Sequence, residues 1–186
     1  DGTKMYIVDT GSSSGNVSSA DGFISQYSLS TAWDLSTASY DSVSATVAVA
    51  NNSGSTFSRD GTKFYVIGLN ASSQARTLQY NLSTAWDLST VSFSNNEFNH
   101  TSQDGSMVAI HINPDGDKMW MVGYDNDKVY QYSLSTDFDV STASYDSVQF
   151  SLGSQTSVPY GFTFKDDGSQ MYTIGLVNDG IFQYST

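Results

Sequence analysis

The chain of 186 residues has no cysteine, two prolines and, among nineteen acidic residues, a single glutamate. Without cysteine there are no disulfides, and no thiolate can act as nucleophile or metal ligand. The compartment stays open, because secreted proteins with an adequate core need no bridges. Lys and Glu are scarce while Ser and Thr abound, which disfavours long helices and favours strands and turns. Only seven Lys and Arg oppose the acids, giving a net charge of −12. A surface that negative repels phosphate backbones and anionic lipid, so nucleic acid is excluded as a natural partner. No apolar run approaches the ~18 residues needed to insert in a bilayer. The sequence opens on Asp1 rather than Met, as an internal or processed piece would. The 38% apolar and 13% aromatic content suffices for the core of one domain.

What the chain has in quantity is repetition. QYSLSTAWDLSTASYDSV starts at Gln26, QYNLSTAWDLSTVSF at Gln79 and QYSLSTDFDVSTASYDSV at Gln131. An Asp-Gly pair also recurs, in DGTKMYIV at Asp1, DGTKFYVIG at Asp60, DGDKMWMVG at Asp115 and DGSQMYTIG at Asp167. These pairs divide the chain into repeats 1–59, 60–114, 115–166 and a partial 167–186. Each full repeat contains four apolar or alternating stretches separated by turn residues, hence four strands, A to D. Strand A (for example 108–113) meets strand B through a tight Asp-Gly hairpin in which Gly takes the left-handed conformation. Strand C ends in Gln-Tyr, and strand D has the faintest pattern, near 42–49, 95–99 and 147–152. The recurring phrase is the C–D connection: a turn capped by its own hydroxyls and carboxylate. Trp33, Trp86 and Phe138 are expected to plug the space between neighbouring units.

Tandem units of about 50 residues with four antiparallel strands predict an all-β fold, a β-propeller of four-stranded blades. The string DG-x-K-M-Y-x-x-G followed by V-x-QY-x-LST-x-W-D-x-ST-A-x-Y resembles tandem propeller repeats in large hypothetical proteins of marine phages and bacteria. It is more loosely similar to YVTN- and NHL-type propellers. The resemblance spans the whole chain and implies a surface or binding scaffold, without specifying an activity. Fourteen strands amount to about 3.5 blades, part of a larger ring or protein. Open edges would then invite other copies of the chain or adjacent blades of a longer one. A stacked β-solenoid is the alternative fold.

The B–C and D–A connections share one face of a propeller, and here they vary in length while the other face is monotonous. The B–C gap is 17 residues from Asp9 to Gln26, 11 from Gly68 to Gln79, and 8 in the last two units. Binding is therefore expected there, through Ser12, Ser13, Asn16, Asn70, Arg76, Asp125, Asn126 and Asn178. GSSSG at 11–15 matches a nucleophile-elbow pattern but lies in a hairpin loop, the wrong context. Calcium is a weak candidate at Asp125, Asp127 and Asp179, which complete no known loop pattern. Five sequons, at Asn16, Asn51, Asn70, Asn81 and Asn99, allow glycosylation if the source permits it. His111, on an inner strand with Thr56 and Thr163 as equivalents, reads as an interblade packing residue; His100, in the D–A segment, could face a ligand but has no obvious partner. Tyr6, Tyr65, Trp120 and Tyr172 repeat at one strand B position and read as core.

No catalytic residue or cofactor stands out. The leading expectation is a non-enzymatic propeller outside a cell or on a virion, binding protein or glycan through the variable face. The alternatives are a propeller hydrolase or lactonase working over the central channel, and a structural subunit of a fibre.

Overall fold

The computed structural model describes residues 1–9, 22–70, 72–177 and 180–186. Among them fourteen strands form four antiparallel sheets, and the only helical pieces are single 3₁₀ turns. The first sheet holds β1 (Lys4–Asp9), β2 (Gly22–Leu29) and β3 (Ala38–Val47). The second holds β4 (Ala50–Phe57), β5 (Lys63–Leu69), β6 (Ala75–Leu82) and β7 (Val91–Asn99). The third holds β8 (Met107–Ile112), β9 (Lys118–Gly123), β10 (Lys128–Leu134) and β11 (Ala143–Ser151). The fourth holds β12 (Pro159–Phe164), β13 (Gln170–Gly175) and β14 (Ile181–Ser185). Strands β4, β8 and β12 pack on one another in succession, so the sheets fan out as blades of a β-propeller.

As the strand count predicts, the described chain runs from a strand B to a strand C: two complete blades stand between two three-stranded ones, the first without a strand A and the last without a strand D among the described residues. The strand before each Asp-Gly joins the three that follow it in one sheet. One detail differs from the sequence reading. Strand D starts earlier than its pattern suggests, directly after the 3₁₀ turn, with Tyr27 opposite Tyr40, Tyr80 opposite Phe93 and Tyr132 opposite Tyr145. A bulge then breaks the alternation, with Ser42, Asn95 and Ser147 at positive φ. That break hides the first half of the strand from a search for period two.

The recurring phrase folds alike each time. Asp34, Asp87 and Asp139 cap the 3₁₀ turns Leu35–Thr37, Leu88–Thr90 and Val140–Thr142, each carboxylate accepting from a serine N–H two residues on. The aromatics do not plug the space between blades. Trp33, Trp86 and Phe138 fold onto Gly2, Gly61 and Gly116 of their own blade, and their N–H groups donate to those glycine carbonyls at 2.9 Å. Each glycine has positive φ, and an added Cβ would fall within 2.4 Å of the ring. Hence Asp-Gly is required twice over, by backbone and by packing.

The interblade plug is instead the aliphatic residue two positions later. Leu88 and Val140 are buried against the preceding blade, while Leu35, with no blade before it, is 69% exposed. The preceding blade grips the turn through two polar groups. Tyr6 donates its hydroxyl to the Trp86 carbonyl, and Tyr65 donates to the Phe138 carbonyl at 2.9 Å. The Leu88 N–H donates to Gln26 Oε1 at 2.8 Å, and the Val140 N–H to Gln79 Oε1 at 3.1 Å. The Asp of the Tyr-Asp-Ser bulge orients the amide: Gln26 Nε2 donates to Asp41 at 2.8 Å, as Gln131 does to Asp146. Burial pushes the Tyr6 hydroxyl up to about 12, helped by the charges of Asp87 and Asp41, so it stays a donor at any ordinary pH.

Removing the plug tests this joint. Leu88→Ala should lower stability by about 2–4 kcal/mol, the range for emptying a packed leucine site. Leu35→Ala should change it by less than about 0.5 kcal/mol. The two denaturation midpoints, measured side by side, compare the same phrase with and without a preceding blade.

Candidate functional site

On the face formed by the B–C and D–A connections, a cavity of about 510 Å³ opens between the second and third blades and reaches the fourth. Asn51, Asn52 and Ser53 at the start of β4, His100, Tyr124 and Tyr160 are in its wall. The volume lies in the range that holds a small organic ligand. Neither lysine nor arginine is among its lining residues, and neither is a carboxylate. Amides, hydroxyls, an imidazole and two tyrosines supply the polar groups, set among the apolar Ile67, Leu69, Ala75, Met107 and Val108. Tyr124 and Tyr160 meet edge to face with ring centroids 6.0 Å apart and are both partly open to solvent. Such a wall suits an uncharged, hydroxyl-rich molecule with an apolar face, and gives a phosphate nothing to pair with.

His100 sits where the next blade has Leu152. Both open a tight turn: His100 accepts from Gln103 and Asp104 N–H, Leu152 from Gln155 and Thr156 N–H. The imidazole is fully buried, and neither ring nitrogen has a hydrogen-bond partner of ordinary geometry. Burial drives its pKa down to about 4, against a small opposing pull from the nearby backbone of Arg76 and Asp104. A neutral imidazole at a cavity wall, its buried nitrogens beside the backbone of Arg76 and Asp104 without good hydrogen-bond geometry, is a candidate to meet a ligand. The Asn52 Oδ1 is likewise buried and without a partner, while its amide donates to the Asp9 carbonyl at 3.0 Å.

Asp104 and Thr156, each eleven residues before an Asp-Gly, lie over the glycine that ends strand B of their own blade, Gly123 and Gly175; Asn52, within β4, instead lies over Gly22 at the start of β2 in the preceding blade. Asp104 is buried and consumed by donors. It accepts from Ser106 N–H at 2.9 Å, from Asn126 N–H at 3.0 Å and from the Asn126 amide at 3.1 Å. Asn126, exposed on the B–C turn, is thereby also tied to the D–A connection. Arg76 is also mostly buried, with Nη2 on Gln74 at 2.8 Å and Nε 3.8 Å from Glu97, so it is not a loop-tip residue. Asn70 closes its own loop by accepting from Ser72 and Gln74. Asp125 is exposed, and burial together with the Asp104 charge raises the Asp127 carboxyl. Among the described residues no group of three or more His, Asp or Glu could hold a metal ion. Of the sequons, Asn51 begins β4, Asn81 lies within β6 and Asn99 ends β7. Ser12, Ser13, Asn16, the GSSSG stretch, Asn178 and Asp179 fall outside the described residues.

His111 is indeed at a blade junction, its ring 5.4 Å from Phe164 and 6.1 Å from Trp120 and Phe162. Burial lowers its pKa, opposed by Asp166. Nothing local in the sequence marks Asp104 as a loop pin, although it and Thr156 stand at the same distance before an Asp-Gly. The cavity itself needed coordinates, because its wall is drawn from three blades.

The buried imidazole makes stability depend on pH. Unfolded, His100 takes up a proton near pH 6.5; folded, it resists until about 4. Its contribution is therefore complete above pH 6.5 and lost as pH falls toward 4, by roughly 3 kcal/mol. In His100→Leu, which copies Leu152, that part of the pH dependence should vanish. Urea midpoints of both proteins from pH 7 to pH 4 give the difference, in which shared carboxylate titrations cancel.

No family model matches the chain, and no curated protein sequence matches it. Solved structures do. A candidate 6-phosphogluconolactonase of Bacteroides uniformis superposes with a TM-score of 0.59 at 16% identity, over 99% of this chain and 50% of that one. The periplasmic gluconolactonase PpgL of Pseudomonas aeruginosa gives 0.59 at 15% identity, over 98% and 53%. A chain of a nidogen/laminin complex gives 0.59 at 11% identity, over 98% and 57%. This chain thus spans about half the length of each. Identities this low speak to the fold alone, which is that of an arc of β-propeller blades.

Proposed function

We propose that the cavity on the variable face binds an uncharged, polyhydroxylated small molecule of the sugar or sugar-lactone class. The observation that carries this is a largely apolar wall, with two tyrosines, that carries amides, hydroxyls and the His100 imidazole and no charged group. Tyrosine faces offer apolar contact to a sugar ring, and the amide and imidazole offer directional hydrogen bonds. In this reading the chain presents a saccharide-type ligand site on a rigid propeller arc. The hydroxyl-rich, acidic surface fits work outside the cytoplasm.

A second reading is hydrolysis of such a lactone, and one observation favours it: His100, in the cavity wall, is neutral at working pH. Water would add to the lactone carbonyl with its proton passing to His100 Nδ1 or Nε2. The ring C–O bond then breaks, and the proton returns to the departing ring oxygen to leave a hydroxy acid. The gluconolactonase named among the structural neighbours lends more weight to this reading than to a purely displayed scaffold.

Titration calorimetry with glucose, gluconate and glucono-1,5-lactone, with a pH-stat for acid release, separates the two. Binding of glucose or the lactone should weaken about tenfold in Tyr124→Ala. Acid release above the spontaneous rate that disappears in His100→Leu supports hydrolysis. Binding without such release leaves the ligand site as the function, and no binding of any of the three overturns both readings.

A further inference from the structure

Among the described residues, the first two junctions are filled by the next blade's Trp/Phe-Asp-Leu/Val-Ser-Thr turn, and the third is not. Between the third and fourth blades lies a cleft of about 320 Å³, walled by Trp120, Gln131, Val148, Phe150, Gly168 and Met171 among others. Its features are those of the filled junctions with the plug taken away. Val148 and Phe150 of β11 are 50% and 46% exposed. Their counterparts Val43 in the first blade and Phe98 in the second are partly buried, packed in the clusters that contain Leu88 and Val140. Gln26 and Gln79 accept from the turn's N–H; Gln131 instead accepts from its own blade's Trp120 Nε1, at a long 3.3 Å. Asp146 still holds the Gln131 amide in the receiving orientation, at 2.8 Å.

Two further landmarks agree. Gly2, Gly61 and Gly116 are each covered by an aromatic ring of the phrase, whereas Gly168, at φ +72, has open space where the others have a ring. The outer edge of β14 pairs with nothing among the described residues: the sheet runs β12–β13–β14, and Ile181 is 77% exposed. Aromatic seat, aliphatic slot, amide acceptor and open strand edge lie in the order in which the phrase presents an aromatic, an aliphatic, an N–H and a strand.

We infer that the cleft is an acceptor for a strand-forming segment bearing this same phrase. The segment would seat its aromatic on Gly168 and its Leu or Val between Phe150 and Met171. It would donate the N–H of that residue to Gln131 and pair its following strand with β14. The occupant is an unengaged segment and not the first blade of a second folded copy. That blade's turn is already fastened to its own Asp-Gly hairpin, by Trp33 N–H to the Gly2 carbonyl at 2.9 Å.

The test uses the intact chain and a synthetic peptide of residues 83–99, STAWDLSTVSFSNNEFN. The peptide should bind, and hydrogen exchange at 181–185 should slow when it does. Affinity should fall at least tenfold with Leu88→Asp or Trp86→Ala in the peptide, or with Phe150→Asp in the protein, a substitution at a half-exposed site that leaves the fold intact. Equal binding by the Leu88→Asp peptide, or protection confined to the open edge of β1, overturns the assignment. So does self-association of the unliganded chain that Phe150→Asp abolishes, since a folded copy would then be the occupant.

Discussion

The arc depends on how one blade takes hold of the next: an aliphatic side chain pressed into the neighbour's sheet while the turn's own N–H and carbonyl are met by a glutamine and a tyrosine. Neither half of that grip would serve alone. A turn buried without partners would strand a backbone donor and acceptor, at roughly 1–3 kcal/mol each. Polar partners without the buried Leu88 or Val140 would compete with water for little net gain. Together they make the turn part of the core, and the three apolar clusters follow the junctions between sheets rather than a single central mass.

This dependence explains why the sequence repeats so closely on one side and varies on the other. The Gln must be held with Nε2 inward and Oε1 outward, which calls for the bulge and its Asp41 or Asp146. The bulge fixes the distance back to the turn, the turn needs its capping Asp and Ser, and the aromatic needs a glycine beneath it. Every member of the phrase is thereby tied to another, so substitutions are costly in concert. The B–C and D–A connections carry no such chain of dependencies. There a single residue lies over the glycine that ends strand B, and Asp104 or Thr156 suffices. Chemical variety can collect on that face without disturbing the junctions, and the cavity with His100 is found there.

Much of the fold was legible in the sequence because its signals are local and repeated. The Asp-Gly turns, the strand count and the capped C–D turn all follow from residues close together in the chain. What was misread is what depends on contacts across blades. Trp33 looks like a plug by size, yet lies 81% exposed on its own hairpin, while the smaller Leu88 does the plugging. Arg76 looks like a loop residue by position, but its strand turns it inward beside Glu97. Of the candidate site, His100 was noticed as a histidine in a connection. Its burial could have been suspected only by aligning it with Leu152 through the turn that follows each.

That alignment also bears on what His100 is for. A leucine satisfies the position in the next blade, so the fold does not require an imidazole there. Holding a buried imidazole neutral, with both nitrogens unpartnered, makes stability fall on acidification, a liability that Leu152 avoids. The other unpartnered buried acceptor in the wall, Asn52 Oδ1, belongs to a residue that stands where the next two blades have Met107 and Pro159, neither with a side-chain amide. Both departures from the repeat converge on one cavity. A ligand that meets those atoms accounts for both, since the cost is then borne in the empty protein and relieved when the site is filled.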